Sequence, residues 1–274
     1  MKADYHVHTE FSDDSVYEME EVVKDAINLG LDELCFTDHV DYGIKKDWHE
    51  GNIEYRSNQP LANVDYPRYF NNIKYLKEKY PQITIKQGLE FGVQKHTIKK
   101  FKQLFDTYPL DFIILSFHQV EDKEFWTQDF QEGRTQDEYQ QKYYQEIYDV
   151  ISEYKDYCVL GHLDLLKRYD KAGDYPFEKI EPMVTKILKQ VIADGKGIEI
   201  NTSSHAYGLT DLMPSRKILK LYHDLGGKII TIGSDTHKAA TLGAFIEETK
   251  EEMRQIGFKY YCTYKDMQPI FHEL

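Results

Sequence analysis

Histidines at alternate positions on an extended segment point to the same side of the chain, and His6-Val7-His8 has that spacing near the start of this sequence. Asp235-Thr236-His237 repeats the period near the end. Between them stand Asp38-His39, Glu90, Ser116-Phe117-His118 and Gly161-His162-Leu163-Asp164, each at the close of a short apolar run. One such histidine would be an ordinary surface or core group. Brought together, so many imidazoles and carboxylates could be buried only around cations, because burial without compensating charge is expensive. Imidazole and carboxylate suit zinc, iron, manganese or cobalt, and the supply exceeds the needs of one ion. The economical reading is a site of two or three divalent transition-metal ions, with Glu90 as the carboxylate that bridges two of them.

Those residues meet only if the elements carrying them converge. Short apolar runs predict strands over Lys2–His6, Glu33–Thr37, Ile83–Leu89, Phe112–Phe117, Cys158–Gly161, Gly197–Asn201 and Lys228–Gly233. Several lack polar alternation, as buried parallel strands do. Amphipathic periodicity predicts helices over Tyr17–Leu29, Tyr66–Lys79, His96–Tyr108, Gln136–Glu153, Phe177–Asp194, Pro214–Leu225 and Ala244–Gln255, with Pro214 in the first turn of its helix and Gly226-Gly227 beyond the end. Strand-then-helix units in series define an α/β chain, either a (β/α) barrel or an open doubly wound sheet. In a barrel the strand ends share one rim, and six of the 11 histidines sit at predicted strand ends. His49, His96, His223 and His272 read as surface groups. His205 follows Asn201–Ser204 on the same rim and is a candidate for substrate contact or proton transfer. No GxGxxG or Walker loop follows a strand, which excludes the usual dinucleotide and P-loop chemistries. Two polar insertions, Asp41–Asp65 and Gln119–Thr135, have the length of lids or pocket walls.

The chain has 274 residues, of which 41% are hydrophobic, enough for one large domain spanning 1–274. A net charge of −13 disfavours nucleic acid and long polyanions, while leaving room for a small phosphate monoester in a locally cationic pocket. Cys35, Cys158 and Cys262 are far apart and form no CxxC pair, so neither a disulfide framework nor a zinc ribbon is indicated. The N-terminus lacks the apolar stretch of a secretion signal, and no run of 18 apolar residues exists. The expected location is the cytoplasm, without membrane attachment. Oligomeric state is not legible.

The motifs His6-Val7-His8-Thr9 with Phe11-Ser12-Asp13-Asp14, then Phe36-Thr37-Asp38-His39, Glu90, Ser116-Phe117-His118, Gly161-His162-Leu163-Asp164 and Ser234-Asp235-Thr236-His237 resemble those of the polymerase and histidinol phosphatase (PHP) family. They span nearly the whole chain. The resemblance implies a distorted (β/α)7, TIM-like barrel with a trinuclear metal centre. It implies His6, His8, Glu90 and Asp235 as ligands of the first metal, Glu90, His118 and His162 of the second, and His39 with His237 of the third. Many relatives carry a histidine where this chain has Asp14; Asp14 is assigned to the third metal, although Asp13 matches the position used by other branches. Gly161–Leu165 with Lys167-Arg168-Tyr169, Glu199–Ser203 and Met213-Pro214-Ser215 resemble the monofunctional histidinol-phosphatase branch in particular.

That resemblance implies hydrolysis of L-histidinol phosphate. Such cations would lower the pKa of a water between them and neutralise phosphoryl charge. Attack is expected to be direct, since no serine or cysteine stands where a covalent nucleophile is required. Glu90 would organise the nucleophile, water on the third metal, Asp164 or His205 could protonate the leaving group, and Arg168 would grip phosphate. Competing readings are a phosphodiesterase or exonuclease, a metal-dependent amidohydrolase, and a noncatalytic barrel.

Overall fold

The computed structural model describes residues 1–56 and 59–274. Its centre is a parallel sheet whose seven strands follow chain order: β1 (Ala3–Val7), β2 (Glu33–Phe36), β3 (Thr84–Gly92), β4 (Phe112–Ser116), β5 (Val159–Leu160), β6 (Gly197–Asn201) and β7 (Ile230–Gly233). A short continuation of β2, His39–Val40, pairs with β3 in the register His39↔Glu90. The sheet curls until its edges meet: Val7 bridges Thr236, and the His8 N–H donates to the Thr236 carbonyl at 2.9 Å. Below that seam buried Asp4 accepts the Ser234 and Gly243 N–H groups, both at 2.9 Å. The result is a barrel rather than an open sheet; its strands are largely buried, and polar groups such as Asp4, His6, Glu90, Glu199 and Thr231 are buried among their apolar residues.

Each strand is followed by one longer helix: α1 (Met19–Asn28), α2 (Tyr66–Lys79), α3 (Ile98–Thr107), α4 (Gln136–Glu153), α5 (Phe177–Ala193), α6 (Arg216–Asp224) and α7 (Ile246–Ile256). Parallel neighbours demand such crossovers. In α1 the buried stripe is Met19, Val22, Val23 and Ala26, the spacing of one helical face. Thr135 and Glu138 form a reciprocal capping box that starts α4. The expected start of α6 shifts. Pro214 lies outside the helix, and the Ser215 side chain caps it by accepting the Ile218 N–H, a role proline cannot fill.

Beyond the seven units the chain adds an antiparallel hairpin, β8 (Tyr260–Lys265) and β9 (Gln268–Glu273), turned through Asp266 and Met267. It packs beneath the N-terminal ends of the strands. Tyr264 is buried there beside Phe112, its N–H donating to Tyr5 Oη at 2.7 Å. Ala3, Tyr5, Cys35, Phe112, Ile114, Cys158, Val159, Cys262 and Tyr264 form a second apolar cluster distinct from the main core. All three cysteines are free and buried. The hairpin closes the floor, while the polar strand ends open at the opposite rim. Among the described residues no helix is long and apolar enough to cross a membrane.

Candidate metal centre and active site

Glu90, near the end of β3, is fully buried and surrounded by imidazoles. Its Oε1 lies 2.8 Å from His162 Nε2 and 3.2 Å from His118 Nε2. Its Oε2 lies 2.9 Å from His39 Nδ1, 3.3 Å from His6 Nε2 and 3.5 Å from His8 Nε2. Asp235 Oδ1 approaches the same two nitrogens of His6 and His8 at 3.6 and 3.3 Å. His237 stacks on His8 with ring centroids 4.2 Å apart. Asp14 stands at the lip, with Oδ2 3.2 Å from His237 Nε2 and 3.5 Å from His39 Nε2. The residues singled out as metal ligands in the sequence are therefore neighbours in space.

The donor set fits a polynuclear metal site on its unsatisfied atoms. His6 Nε2, His8 Nε2, His39 Nδ1, His237 Nε2 and Glu90 Oε2 are buried without a hydrogen-bond partner. Such orphans are costly in a folded protein. On several rings the remote nitrogen is already held: His6 by Glu199, His8 by Ser12 Oγ at 3.1 Å, His118 by Asp41 at 2.7 Å and His237 by the Asp235 carbonyl at 2.9 Å. One nitrogen anchored outward and the other aimed inward is the arrangement that orients metal-binding histidines. Ligand atoms of His6, His8 and Asp235, of His6, Glu90 and His162, of His39, Glu90 and His118, and of His8, His39 and His237 lie close enough for each trio to share an ion.

Two glycines make this crowding possible. A Cβ on Gly92 would lie 1.9 Å from Asp41 Oδ1, and one on Gly233 would lie 2.2 Å from His6 Cβ. Either would displace a carboxylate or an imidazole of the cluster. Electrostatics couple the groups further. Burial disfavours charge on Glu90, but His6, His118 and His39 hold its carboxyl well below the usual range. Burial likewise opposes protonation of His118, yet Glu90 and Asp41 lift it to about 9. Asp38 is pushed up to about 6 by burial, although Thr9 and Ser12 donate to it. Through those bonds it pins the loop that carries Asp13 and Asp14.

A cleft of about 590 Å³ opens above the cluster. Both polar insertions wall it: Arg56 from the first forms paired 3.0 Å contacts with Glu124 from the second and lies over the Trp126 ring. Arg168 enters from the other side. Its side chain is 6% exposed, it stacks 4.0 Å from the Tyr207 ring, and Nη2 donates to Ser203 Oγ at 2.5 Å. Its Nε has no partner. Two sequence candidates are placed elsewhere. Asp164 is buried outside the cleft lining, accepting from Lys167 Nζ at 2.9 Å and Ser215 N–H at 3.0 Å. His205 is exposed on the short helix Ser203–Ala206 and stacks on Phe245 with centroids 4.4 Å apart. Sequence reasoning also left Glu199 and Asp41 without a role. Glu199 carried a signal, as a carboxylate inside the buried strand Gly197–Asn201; Asp41 sat in a polar insertion and carried none.

The PHP domain family pattern matches residues 4–203. The fold and site define a PHP-family protein, and this chain belongs to that family. Histidinol-phosphatase of Lactococcus lactis subsp. lactis is 30% identical over 97% of this chain and 96% of its own length. A Thermotoga maritima relative, named a probable histidinol-phosphatase, is 28% identical over 94% and 93%. The crystal structure of the Lactococcus lactis histidinol phosphate phosphatase, complexed with zinc, L-histidinol and phosphate, superposes with a TM-score of 0.84 over 98% of both chains.

Proposed function

We propose that this chain is a metal-dependent phosphomonoesterase that hydrolyses L-histidinol phosphate to L-histidinol and inorganic phosphate. The observation that carries the reading is Glu90, a buried carboxylate within 3.5 Å of nitrogens from five histidines at the base of a cleft. The whole-length likeness to the Lactococcus lactis enzyme supports the substrate. We read residues 1–274 as one domain, because the hairpin β8–β9 is part of the barrel's packing. Three free, buried cysteines suit a reducing cytoplasm.

Three divalent transition-metal ions, drawn from zinc, manganese, iron or cobalt, would be held by the cluster: one by His6, His8, Glu90 and Asp235, one by Glu90, His118 and His162, and one by His39, His237 and Asp14. Bound there, they supply an acidified water and positive charge for the phosphoryl oxygens. The protein's own part is positioning. Glu199 and Asp41 fix the rings of His6 and His118 and keep their outward nitrogens occupied. Arg168, held by Tyr207 and Ser203, presents a planar guanidinium at the cleft wall to a phosphate oxyanion. The Ser203 hydroxyl is engaged with Asn201, Arg168 and Asp235, and the thiols lie at the barrel floor, so the residues favour direct attack over a covalent intermediate.

The test is phosphate release by protein loaded separately with each of the four metals. L-histidinol phosphate should be turned over with a higher kcat/KM than sugar phosphates, phosphotyrosine, nucleotides or short oligonucleotides. A marked preference for another phosphoester would overturn the substrate assignment.

A further inference from the structure

Asp13 and Asp14 are adjacent carboxylates on one pinned loop, and both line the cleft. Only Asp14 faces His39 and His237. The difference traces to Lys45, which arrives from the first insertion with its side chain 6% exposed. Its ammonium contacts Asp13 directly and lies 2.8 Å from Asp41 Oδ2. Asp41 in turn places Oδ1 2.7 Å from His118 Nδ1. A cation from the insertion thus joins the loop after β1 to the carboxylate that orients a histidine after β4.

We propose that Lys45 is a positioning residue that selects Asp14 as the third-metal carboxylate by occupying Asp13. This rests on the trinuclear reading given above. Two neighbouring carboxylates beside a cationic centre would otherwise compete for the same ion. Lys45 removes one competitor, and the selection is stiff because a buried ammonium needs its carboxylate partners as much as they need it. Withdrawing Asp13 toward the cluster would leave the buried Lys45 ammonium with Asp41 as its one carboxylate contact, and Asp41 is already shared with His118. Lys45 therefore also ties the geometry of the third position to that of His118.

The experiment counts zinc per chain by elemental mass spectrometry after loading and desalting. It compares the wild type with Asp13→Asn, Asp14→Asn, Lys45→Met, Lys45→Arg and the double variant Lys45→Met/Asp14→Asn. Asp14→Asn should lose one equivalent, whereas Asp13→Asn should retain it. In the Lys45→Met background the released Asp13 should take the vacated place, so the double variant should regain the equivalent that Asp14→Asn lost. Lys45→Arg should retain the wild-type count. A double variant as deficient as Asp14→Asn, or loss of the ion from Asp13→Asn with retention in Asp14→Asn, would overturn the proposal. If Lys45→Met does not fold, zinc-edge anomalous scattering from wild-type crystals decides: zinc bound by Asp14 with Lys45 on Asp13 supports it, and zinc bound by Asp13 refutes it. A wild type that takes up no zinc would instead refute the metal centre itself.

Discussion

Glu199 holds His6 by Nδ1 with one carboxylate oxygen and accepts the His162 backbone N–H at 2.9 Å with the other. A single side chain on β6 therefore sets the ring of a residue on β1 and the backbone that presents another ligand after β5. Glu199→Gln keeps the shape but removes the charge that makes the imidazole a better donor. Metal affinity should fall about 10- to 100-fold, the usual cost of losing such an outer partner. Competition with a chelator of known affinity would measure it, and unchanged affinity would show that Glu199 is only structural.

Arg168 contributes charge to the cleft and meets the proposed metal cluster only through Asp235, whose Oδ2 lies 3.6 Å from its Nη2. Arg168→Ala should lower kcat/KM for L-histidinol phosphate about 10²- to 10³-fold, the scale of losing one oxyanion donor. Metal content should stay at the wild-type level. Lysine should restore little of the activity, because an ammonium cannot reproduce a planar fork stacked on Tyr207. Steady-state kinetics paired with elemental analysis separates this outcome from simple metal loss.

His205 offers the opposite case. Exposed and stacked on Phe245, it is not among the residues that line the cleft. His205→Ala should leave kcat, KM and their pH dependence unchanged. A lost limb in the pH–rate profile would return His205 to the role of leaving-group acid.

Proton balance gives a further check. In the metal-free protein burial works against the His118 cation, but Glu90 and Asp41 raise its pKa from 6.5 to about 9. The sign follows directly. The raised value stabilises the metal-free fold fully below pH 6.5, and that contribution disappears as pH rises through about 9. A divalent ion needs the neutral ring, so binding near pH 7.5 should release protons and tighten as pH approaches 9. Calorimetric zinc titration in buffers of different ionisation enthalpy reads the release. Zinc affinity independent of pH over this window would contradict the assignment of His118 as a ligand.

At the floor of the barrel the expected effect is on stability alone. Tyr264→Ala removes a buried ring packed on Phe112 and the anchor of the hairpin. It should cost about 3–5 kcal/mol, by analogy with other buried aromatic truncations. Denaturant unfolding would measure it. The metal content of the folded fraction should not change, since the polar rim lies at the other end of the strands.

The seven strand–helix units were readable because buried parallel strands are short apolar runs, and their helices carry an apolar stripe. The hairpin was not. Its turn residues Asp266 and Met267 both adopt positive φ, 49° and 63°, without the glycine or asparagine that normally advertises such a turn. The rim motifs His6-Val7-His8 and Asp235-Thr236-His237 announced their chemistry through spacing. Asp164 and His205 occupy similar places in the sequence, but backbone direction at the strand ends separates them. One turns under the rim to hold Ser215 and Lys167, and the other is carried outward on a short helix. Lys45 and Asp41 were silent because their partners, Asp13 and His118, come from different units. Only the folded chain brings them together.

The seam between β1 and β7 gives the proposed centre a place in the life history of the chain. Two of its ligands, His6 and His8, are synthesised more than two hundred residues before two others, Asp235 and His237. During translation the complete set cannot assemble until nearly all of the barrel has left the ribosome. Ions held across that seam would then clip together distant parts of the polypeptide, closing a very long loop whose opening would otherwise be rewarded by chain entropy. Maturation would thus have a natural order: the barrel is made first, and the metals lock its two ends afterwards.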